Sequence, residues 1–176
     1  MKVNNLNSKY TFDNFLIGNN KFAYDIALEV ANSPANAFSP LYIFGERGQG
    51  KTHLMQAVGN KILQDNPDFK ICYMRTDELV KEIINSIKES DDNKSFLNEF
   101  NNIDVLLIDD IQLMAGQEEC QDIFRIIFNR MHESGKLIII VGDKYPIYLN
   151  GISNRLQTRF CWGVSVKLLM PYEVEE

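Results

Sequence analysis

GERGQGKT, from Gly45 to Thr52, matches the pattern G-x-x-x-x-G-K-[ST]. In this pattern the glycines let backbone N–H groups approach phosphate oxygens, the lysine reaches the β and γ phosphates, and the hydroxyl binds Mg²⁺. The pattern needs a buried strand before it and a helix after it. The apolar run LYIF (41–44) precedes it, and a helix beginning near Lys51 would point its N-terminal N–H groups at a bound phosphate.

Four further apolar runs are short, continuous and rich in branched or aromatic residues, as in strands that are covered on both faces. They are ICYM (71–74), VLLID (105–109), LIIIV (137–141) and VSVKLL (164–169). Helical stripes lie between them, namely Phe22, Ile26 and Val30, then Leu54, Val58 and Ile62, then Phe124, Ile127, Phe128 and Met131. This alternation predicts an α/β fold of three layers, with a five-stranded parallel sheet between two layers of helices.

The bulk composition favours one globular domain, since the 176 residues are 45% hydrophobic. The sequence lacks an apolar run of roughly 18 residues and a secretory signal, so we expect a cytoplasmic protein without a membrane span. Cys72, Cys120 and Cys161 are far apart, which favours packing roles over a disulfide or a metal site. The net charge of −6 argues against a domain that grips duplex DNA unaided.

The second half of a phosphate site should be an acidic residue at the end of another buried strand. Mg²⁺ prefers oxygen ligands, and the loop hydroxyl supplies only one. VLLIDD (105–110) supplies two candidates. We assign Asp109 to Mg²⁺ together with Thr52, and Asp110 to polarising the water that attacks the γ-phosphate. The alternative, that both aspartates merely begin a loop, does not explain why they follow four apolar residues.

Two later segments carry further candidates. VGDKYP (141–146) places Asp143 after the fourth strand, at the edge where open α/β sheets bind ligands, although a plain turn residue is an equal alternative. NRLQTRF (154–160) carries Arg155 and Arg159, four residues apart and therefore on one helix face. From the residue pattern alone, exposed surface arginines are the simpler interpretation.

These segments together resemble the AAA+ ATPase domain of the bacterial chromosomal replication initiator DnaA. Four stretches carry the resemblance, which covers nearly the whole chain: YTFDNFLIG (10–18), SPLYIFGERGQGKTHLMQAVGN (39–60), NIDVLLIDDIQLMAG (102–116) and NRLQTRFCWG (154–163). It implies a P-loop NTPase core over residues 10–170, preceded by an extension or linker (1–9). Residues 171–176 would begin a helical lid that is absent from this chain.

The resemblance also implies a site for ATP or ADP with Mg²⁺. The implied nucleotide-binding residues are Ile17, Gly18, Gly45, Gly48, Gln49, Gly50, Lys51, Thr52, His53, Asp143 and Arg155. Asp109 and Asp110 would form the acidic Walker B pair, and Arg159 matches the finger that reaches ATP on a neighbouring subunit. Two departures are visible: NNKFA (19–23) is one residue shorter than the usual form, and Lys144 replaces a common arginine.

The leading functional hypothesis is an ATP-binding, weakly hydrolysing domain that assembles head to tail into an ATP-dependent filament and remodels origin DNA in the bacterial nucleoid. Origin DNA would be read by domains outside this chain, and other replication proteins are candidate partners. A helicase loader or a regulator of initiation that acts on a protein partner is the alternative within the superfamily. A small P-loop kinase and a non-hydrolysing structural module fit the motifs less well.

The insertion from residue 75 to residue 104 departs from what the resemblance implies. In DnaA this insertion carries residues that contact single-stranded DNA. Here it holds eight acidic and four basic residues. Binding a nucleic-acid backbone requires lysines or arginines that displace counterions, and Phe96 and Phe100 are expected in the core rather than free for stacking. We therefore expect weak binding to single strands.

Overall fold

The sheet of the computed structural model, which describes residues 1–89 and 93–171, has five parallel strands in the order β2-β3-β4-β1-β5. The strands are β1 (Leu41–Phe44), β2 (Ile71–Arg75), β3 (Val105–Asp109), β4 (Leu137–Gly142) and β5 (Val164–Lys167). Because the strands are parallel, the turns that follow β1 and β3 leave the sheet at the same edge. The predicted α/β fold with a five-stranded parallel sheet is confirmed.

Strand β5 is shorter than the predicted run, which extended to Leu169. The N–H of Leu168 donates to the carbonyl oxygen of Phe44 at 2.7 Å, as in a continuing strand. The N–H of Leu169 donates instead to Oδ1 of Asn20 at 2.7 Å, and the amide of Asn20 donates back to the Leu169 carbonyl oxygen at 2.9 Å. A side chain thus replaces the neighbouring strand, and the pairing stops.

Six α-helices pack around this sheet within the described ranges. They are α1 (Lys21–Asn32), α2 (Lys51–Asp65), α3 (Thr76–Glu89), α4 (Lys94–Glu99), α5 (Glu118–Glu133) and α6 (Asn154–Phe160). Helix α2 begins immediately after the glycine loop, as predicted. It ends at Asp65 because Pro67 cannot continue a helix and disfavours the helical conformation in the residue before it.

Alternate residues of each strand point into two separate hydrophobic layers. In β3, Leu106 and Ile108 pack with α3, α5 and α6, whereas Val105 and Leu107 pack with α1 and α2. All five residues of β3 are buried, which is why its sequence is a continuous apolar run rather than an alternating one. The three-layer arrangement therefore follows from strands that are covered on both faces.

The apolar stripe predicted for α1 is wrong at its first position. Phe22 is 67% exposed, and Ile26 is only partly buried. The face turned to the core consists of Ala23, Ala27, Val30 and Ala31. Small alanines let α1 lie close to the neighbouring α2, so the larger side chains are displaced to the rim.

Residues 1–9 lie along the outer edge of β2. The N–H of Asn4 donates to the Ile71 carbonyl oxygen at 2.6 Å, and its side-chain Oδ1 accepts from the N–H of Ile71 at 2.9 Å. Asn5 exchanges a matching pair of hydrogen bonds with Tyr73, at 2.8 and 3.0 Å. The side-chain amides of these asparagines thus form hydrogen bonds that a neighbouring strand would otherwise form, and they cover backbone N–H and C=O groups at the edge of β2.

Other sequence features concern the core. Phe96 and Phe100 are buried, with ring centroids 5.4 Å apart, as expected. Cys72 and Cys120 are buried free thiols, and Cys161 is a half-buried one. In the part of the chain that the structure describes, no helix combines the length and apolarity needed to cross a membrane. The predicted start of a lid lies almost wholly outside the described residues, since these end at residue 171.

Candidate active site

The loop between β1 and α2 contains glycines in unusual backbone conformations and one internal hydrogen bond. Gly45 has φ = +152°, and a Cβ there would clash with the Leu168 carbonyl oxygen at 2.5 Å. Gly50 has φ = +86° and immediately precedes the first residue of α2. The Gln49 side chain folds inward, and its Oε1 accepts a hydrogen bond from the N–H of Glu46 at 2.6 Å. The loop geometry is thus set by positions that only glycine tolerates and by one internal hydrogen bond.

Lys51 is the buried cation of this loop. It begins α2, and its Nζ donates to the carbonyl oxygen of Glu46 within the same loop. Burial lowers the pKa of Lys51, and the nearby carboxylates, led by Asp110 and Asp109, oppose that shift. The ammonium group thus has a neutral oxygen as its hydrogen-bond acceptor, and its positive charge is what would attract an anion at this loop.

Asp109 is the buried acid at the end of β3. Its Oδ2 accepts hydrogen bonds from Thr52 Oγ1 at 2.7 Å and from the Tyr73 hydroxyl at 3.1 Å. Its backbone carbonyl oxygen accepts from Thr76 Oγ1 at 2.8 Å. The residue is 2% exposed, and burial raises its pKa. Its other oxygen, Oδ1, is buried without a hydrogen-bond partner among the described residues.

The unpartnered Oδ1 tests whether the residues fit a metal ion. A buried carboxylate oxygen without a partner is unfavourable unless a cation or a donor satisfies it. Asp109 and Thr52 offer carboxylate and hydroxyl oxygens, the hard ligands that Mg²⁺ prefers. These two residues therefore fit the predicted Mg²⁺ site.

Asp110 lies beside this acid on the wall of an open cavity. Its backbone is left-handed, with φ = +56°, and turns the chain out of β3. Arg75 Nη1 lies 3.3 Å from its Oδ2, and Gln112 Nε2 donates to its Oδ1 at 3.2 Å. Arg75 also contacts Asp77 through Nε at 3.2 Å. Both oxygens of Asp110 are thus held by donors from the chain.

The cavity above these residues has a volume of about 760 Å³, which is in the range of small-molecule sites. The predicted residues on its wall are Gly48, Gly50, Lys51, Thr52, His53, Asp110 and Asp143. Arg47, Arg75 and Gln112 also line it and were not among the predicted site residues. Arg75 reaches the cavity because β2 and β3 are parallel neighbours and Arg75 pairs in register with Asp109, which the sequence alone does not specify.

Two aromatic side chains, Tyr10 and His53, also line the cavity. The Tyr10 ring lies 5.0 Å from the His53 ring, centroid to centroid. His53 Nε2 lies 2.8 Å from the Thr11 carbonyl oxygen, which ties α2 to the N-terminal segment. Ile17 and Gly18, which were predicted near the adenine, do not line this cavity, and Ile17 packs against the core.

Arg155 and Arg159 lie on α6 and do not line the cavity. Arg155 is exposed, and Arg159 is partly buried. Arg159 donates to Asn129 Oδ1 at 2.6 Å, and its guanidinium carbon lies 5.2 Å from the centre of the Trp162 ring. Within the described residues, neither arginine contacts the phosphate loop of its own chain.

The chain is similar to known proteins in both sequence and structure. Residues 6–167 match the family described as the bacterial DnaA ATPase domain. Domain III of the replication initiation protein DnaA from Thermotoga maritima gives a TM-score of 0.89 at 40% identity, covering 93% of this chain and 68% of that chain. AMPPCP-bound DnaA from Aquifex aeolicus gives 0.85 at 34% identity, covering 94% of this chain and 51% of that chain.

A third structure is a replication initiator DnaA bound to AMPPCP and single-stranded DNA. It has a TM-score of 0.86 and 34% identity, with 94% of this chain and 51% of that chain covered. This chain therefore spans about half the length of the two nucleotide-bound relatives. The sequence match extends from the N-terminal segment to β5 and includes both motifs that build the cavity. This chain belongs to the family of bacterial DnaA ATPase domains.

Proposed function

We propose that this chain is the nucleotide-dependent switch of a replication initiator. It binds ATP or ADP with Mg²⁺, hydrolyses ATP slowly on its own, and assembles head to tail with other copies through Arg159. The observation that carries the proposal is the buried Thr52–Asp109 pair beneath the phosphate loop, with one carboxylate oxygen left for a cation. The AMPPCP bound to the Aquifex aeolicus relative supports ATP as the ligand.

Nucleotide binding follows from the loop and the start of α2. The N–H groups at the N-terminus of α2 and the Lys51 ammonium attract the β and γ phosphates. Tyr10 and His53 line the same cavity and offer aromatic surface for the base or the sugar. Asp143 follows β4, lines the cavity together with Lys51, and would sense the γ-phosphate.

Thr52 and Asp109 would hold Mg²⁺, through Oγ1 and the carboxylate. When bound, the ion supplies positive charge that offsets the charge of the β and γ phosphate oxygens. Satisfying Oδ1 of Asp109 also removes the cost of an unpaired buried oxygen. The chain itself orients these ligands, because Thr52 and the Tyr73 hydroxyl both donate to Oδ2 of Asp109 and leave Oδ1 free for the ion.

Asp110 would orient the attacking water as a hydrogen-bond acceptor. One contact is made to each oxygen, from Arg75 and from Gln112, and a carboxylate oxygen can accept a second hydrogen bond, so a water can bind beside these contacts. We expect slow hydrolysis by the isolated chain because Arg159 lies on α6 and does not line the cavity of its own chain.

Head-to-tail assembly would bring Arg159 of one copy to the γ-phosphate of the next, with Arg155 beside it. An arginine supplied in trans stabilises the charge of the transition state and accelerates related reactions by about 10³- to 10⁵-fold. The assembly would form an ATP-dependent filament in the cytoplasm, on the nucleoid. Origin DNA would be read by domains outside this chain, with single strands bound weakly here.

The alternative, a helicase loader or regulator that acts on a protein partner, has one observation in its favour. Helix α3 carries acidic side chains at Asp77, Glu78, Glu82 and Glu89 against Lys81 and Lys88. Such a surface suits a basic protein segment better than a nucleic-acid backbone. The family match nevertheless makes the initiator the preferred proposal.

The test is the rate of ATP turnover per subunit as a function of protein concentration. We expect slow turnover in dilute solution and a rise with concentration for the parent chain, because stacking supplies Arg159 in trans. Arg159→Ala should stay slow at every concentration. Arg130→Ala removes an exposed arginine from α5 and serves as the control. Fast turnover by the dilute chain, unchanged in Arg159→Ala, would contradict the proposal.

A further inference from the structure

We infer that Asn129 and Trp162 are positioning residues that hold the Arg159 guanidinium in place without neutralising its charge. The inference rests on the proposed role of Arg159 in trans. Neither residue belongs to the phosphate loop, the Walker B pair or the cavity wall. Their function would be to keep Arg159 ready for the anion of a neighbouring copy.

Three contacts fix the guanidinium. Its Nε donates to Asn129 Oδ1 at 2.6 Å, and its Nη1 donates to the Arg155 carbonyl oxygen at 2.8 Å. Its face lies against the Trp162 ring at 5.2 Å from the ring centre. Because Asn129 is on α5 and Arg159 is on α6, the first contact joins two helices. An arginine with this many contacts loses little further side-chain freedom when a partner arrives.

All three contacts are with electrically neutral groups. Across residues 1–89 and 93–171, no ion pair joins Arg159 to a carboxylate. The nearby charges are those of Arg125 and Arg155, which, after burial, contribute to lowering the pKa of Arg159. A cation held beside two other cations has an unfavourable electrostatic energy that an incoming phosphate would relieve.

The choice of an asparagine is informative for this reason. An aspartate at position 129 would have similar shape and would accept the same hydrogen bond. It would also form a charged pair with Arg159 and compete with any phosphate for the guanidinium. A neutral amide positions the arginine and leaves its charge available, so the residue type matches a function in trans rather than a function in stability.

Trp162 is itself held rigidly. Its ring lies 5.1 Å from the His132 ring and 5.9 Å from the Phe128 ring, centroid to centroid, and half of the residue is exposed. An aromatic face stabilises a cation through its quadrupole without removing its charge. Trp162 is also the only tryptophan of the sequence, so its fluorescence reports directly on the surroundings of Arg159.

The experiment compares Asn129→Ala, Asn129→Asp and Arg159→Ala in the concentration series of ATP turnover. We expect Asn129→Ala to lower the concentration-dependent turnover about 10- to 100-fold, the range for losing a hydrogen bond to a charged group. ATP affinity of the dilute chain should not change. Asn129→Asp should lose at least as much turnover, since its carboxylate retains Arg159. Asn101→Asp adds the same charge at an exposed position and is the control.

The order of the variants separates the possible outcomes. If Asn129 only joins α5 to α6, Asn129→Asp keeps the acceptor and retains parental turnover, which would overturn the inference. If Arg159→Ala itself has no effect, the proposed function fails first. Trp162 emission gives a second measurement that does not depend on turnover. Addition of ATP to the concentrated parent should shift it, and the same addition to Asn129→Asp should shift it less; equal shifts would count against the inference.

Discussion

In the cavity beside the phosphate loop, Arg75 lies 3.3 Å from the carboxylate of Asp110, whereas on α6 the guanidinium of Arg159 contacts only neutral acceptors and an aromatic ring. The two arginines thus differ in whether the chain itself supplies their counter-charge. Arg75 pairs with a carboxylate of its own chain and restricts the position of that carboxylate, Asp110. Arg159 is held by its own chain but forms no ion pair with a carboxylate of the described residues, which agrees with our proposal that a neighbouring copy supplies its anion.

Under the proposed function, this difference separates a half-site that one chain completes from a half-site that needs a second chain. The phosphate loop, Thr52 and Asp109 are assembled by the parallel sheet, whose turns meet at one edge. Helix α6 lies elsewhere on the fold and contributes nothing to that cavity. Under the proposed function, such a division would couple catalysis to assembly, because hydrolysis would require both halves and binding only the first.

The largest effect expected in the first half-site is on hydrolysis. Asp110→Asn should lower ATP turnover about 10²- to 10⁴-fold, the usual contribution of a positioned acid–base group. Nucleotide affinity should change little, because Asp110 lies beside the phosphate cradle and not within it. Single-turnover hydrolysis and equilibrium binding, measured on the same preparation, distinguish the two steps. Equal turnover in the variant and the parent would show that Asp110 does not orient the water.

The next effect concerns binding. Lys51→Ala should weaken ATP affinity about 10- to 100-fold, because it removes the buried ammonium that faces the phosphates. Lys61→Ala, on the same helix but paired with Asp65 at the surface, should bind ATP like the parent. Titration calorimetry measures both. Parental affinity in Lys51→Ala would remove the phosphate assignment from the loop.

A smaller effect is expected on the free energy of unfolding. A buried carboxylate that is placed to bind a cation destabilises the fold when no cation is bound. Burial raises the pKa of Asp109 above its ordinary value of 3.8, so the folded state binds this proton more tightly than the unfolded state. The ionised group therefore lowers the free energy of unfolding above the folded-state pKa, and this cost vanishes below 3.8.

Without nucleotide or Mg²⁺, Asp109→Asn should consequently raise the free energy of unfolding at pH 7 by about 0.5–2 kcal/mol. The gain should shrink as the pH is lowered. Urea denaturation across a pH series measures it, with Asp68→Asn as an exposed control. A variant less stable than the parent at pH 7 would mean that the hydrogen bonds of the ionised carboxylate outweigh its burial.

The smallest signal is expected for binding to single-stranded DNA. The described part of the insertion is predominantly acidic, and Phe96 and Phe100 are buried, so neither charge nor stacking favours binding. We expect weak binding that is detected at low salt and only with ATP-driven assembly, where Lys81, Lys88 and Lys94 would repeat along a filament. Fluorescence anisotropy with a labelled oligonucleotide across a salt series measures this. Tight binding by the nucleotide-free chain at physiological salt would contradict it.

Local sequence patterns predicted most of the sheet and the phosphate loop. The predicted bounds of β1 and β3 agree with the structure because both strands are buried on two faces and therefore continuously apolar. The apolar stripe predicted for α1 was wrong at Phe22. Helix α2 lies close to α1, which favours small residues on the buried face, and sequence periodicity does not report the distance between two helices. Residues 1–9 were predicted as an extension or linker, and the sequence did not reveal that Asn4 and Asn5 pair with a strand, since asparagines also suit a polar loop.

For the candidate site, too, the sequence predicted residues within single motifs and missed contacts between separate elements. The loop, Thr52 and Asp109 were predicted because their spacing lies within single motifs. Tyr73 and Arg75 were missed, since their contacts with the acidic pair depend on the register between β2 and β3. The contact between Asn129 and Arg159 depends on how α5 packs against α6, which sequence spacing does not specify.

The claim that two chains share one site is tested most directly by mixing two inactive variants. Lys51→Ala keeps Arg159 but lacks the phosphate-binding ammonium, and Arg159→Ala binds ATP but lacks the finger. Each should turn over ATP slowly alone at a concentration where the parent is active. The account predicts that the mixture hydrolyses ATP faster than the sum of the separate rates, because Lys51→Ala chains supply Arg159 to neighbours that hold ATP. A mixture whose rate equals that sum would contradict it.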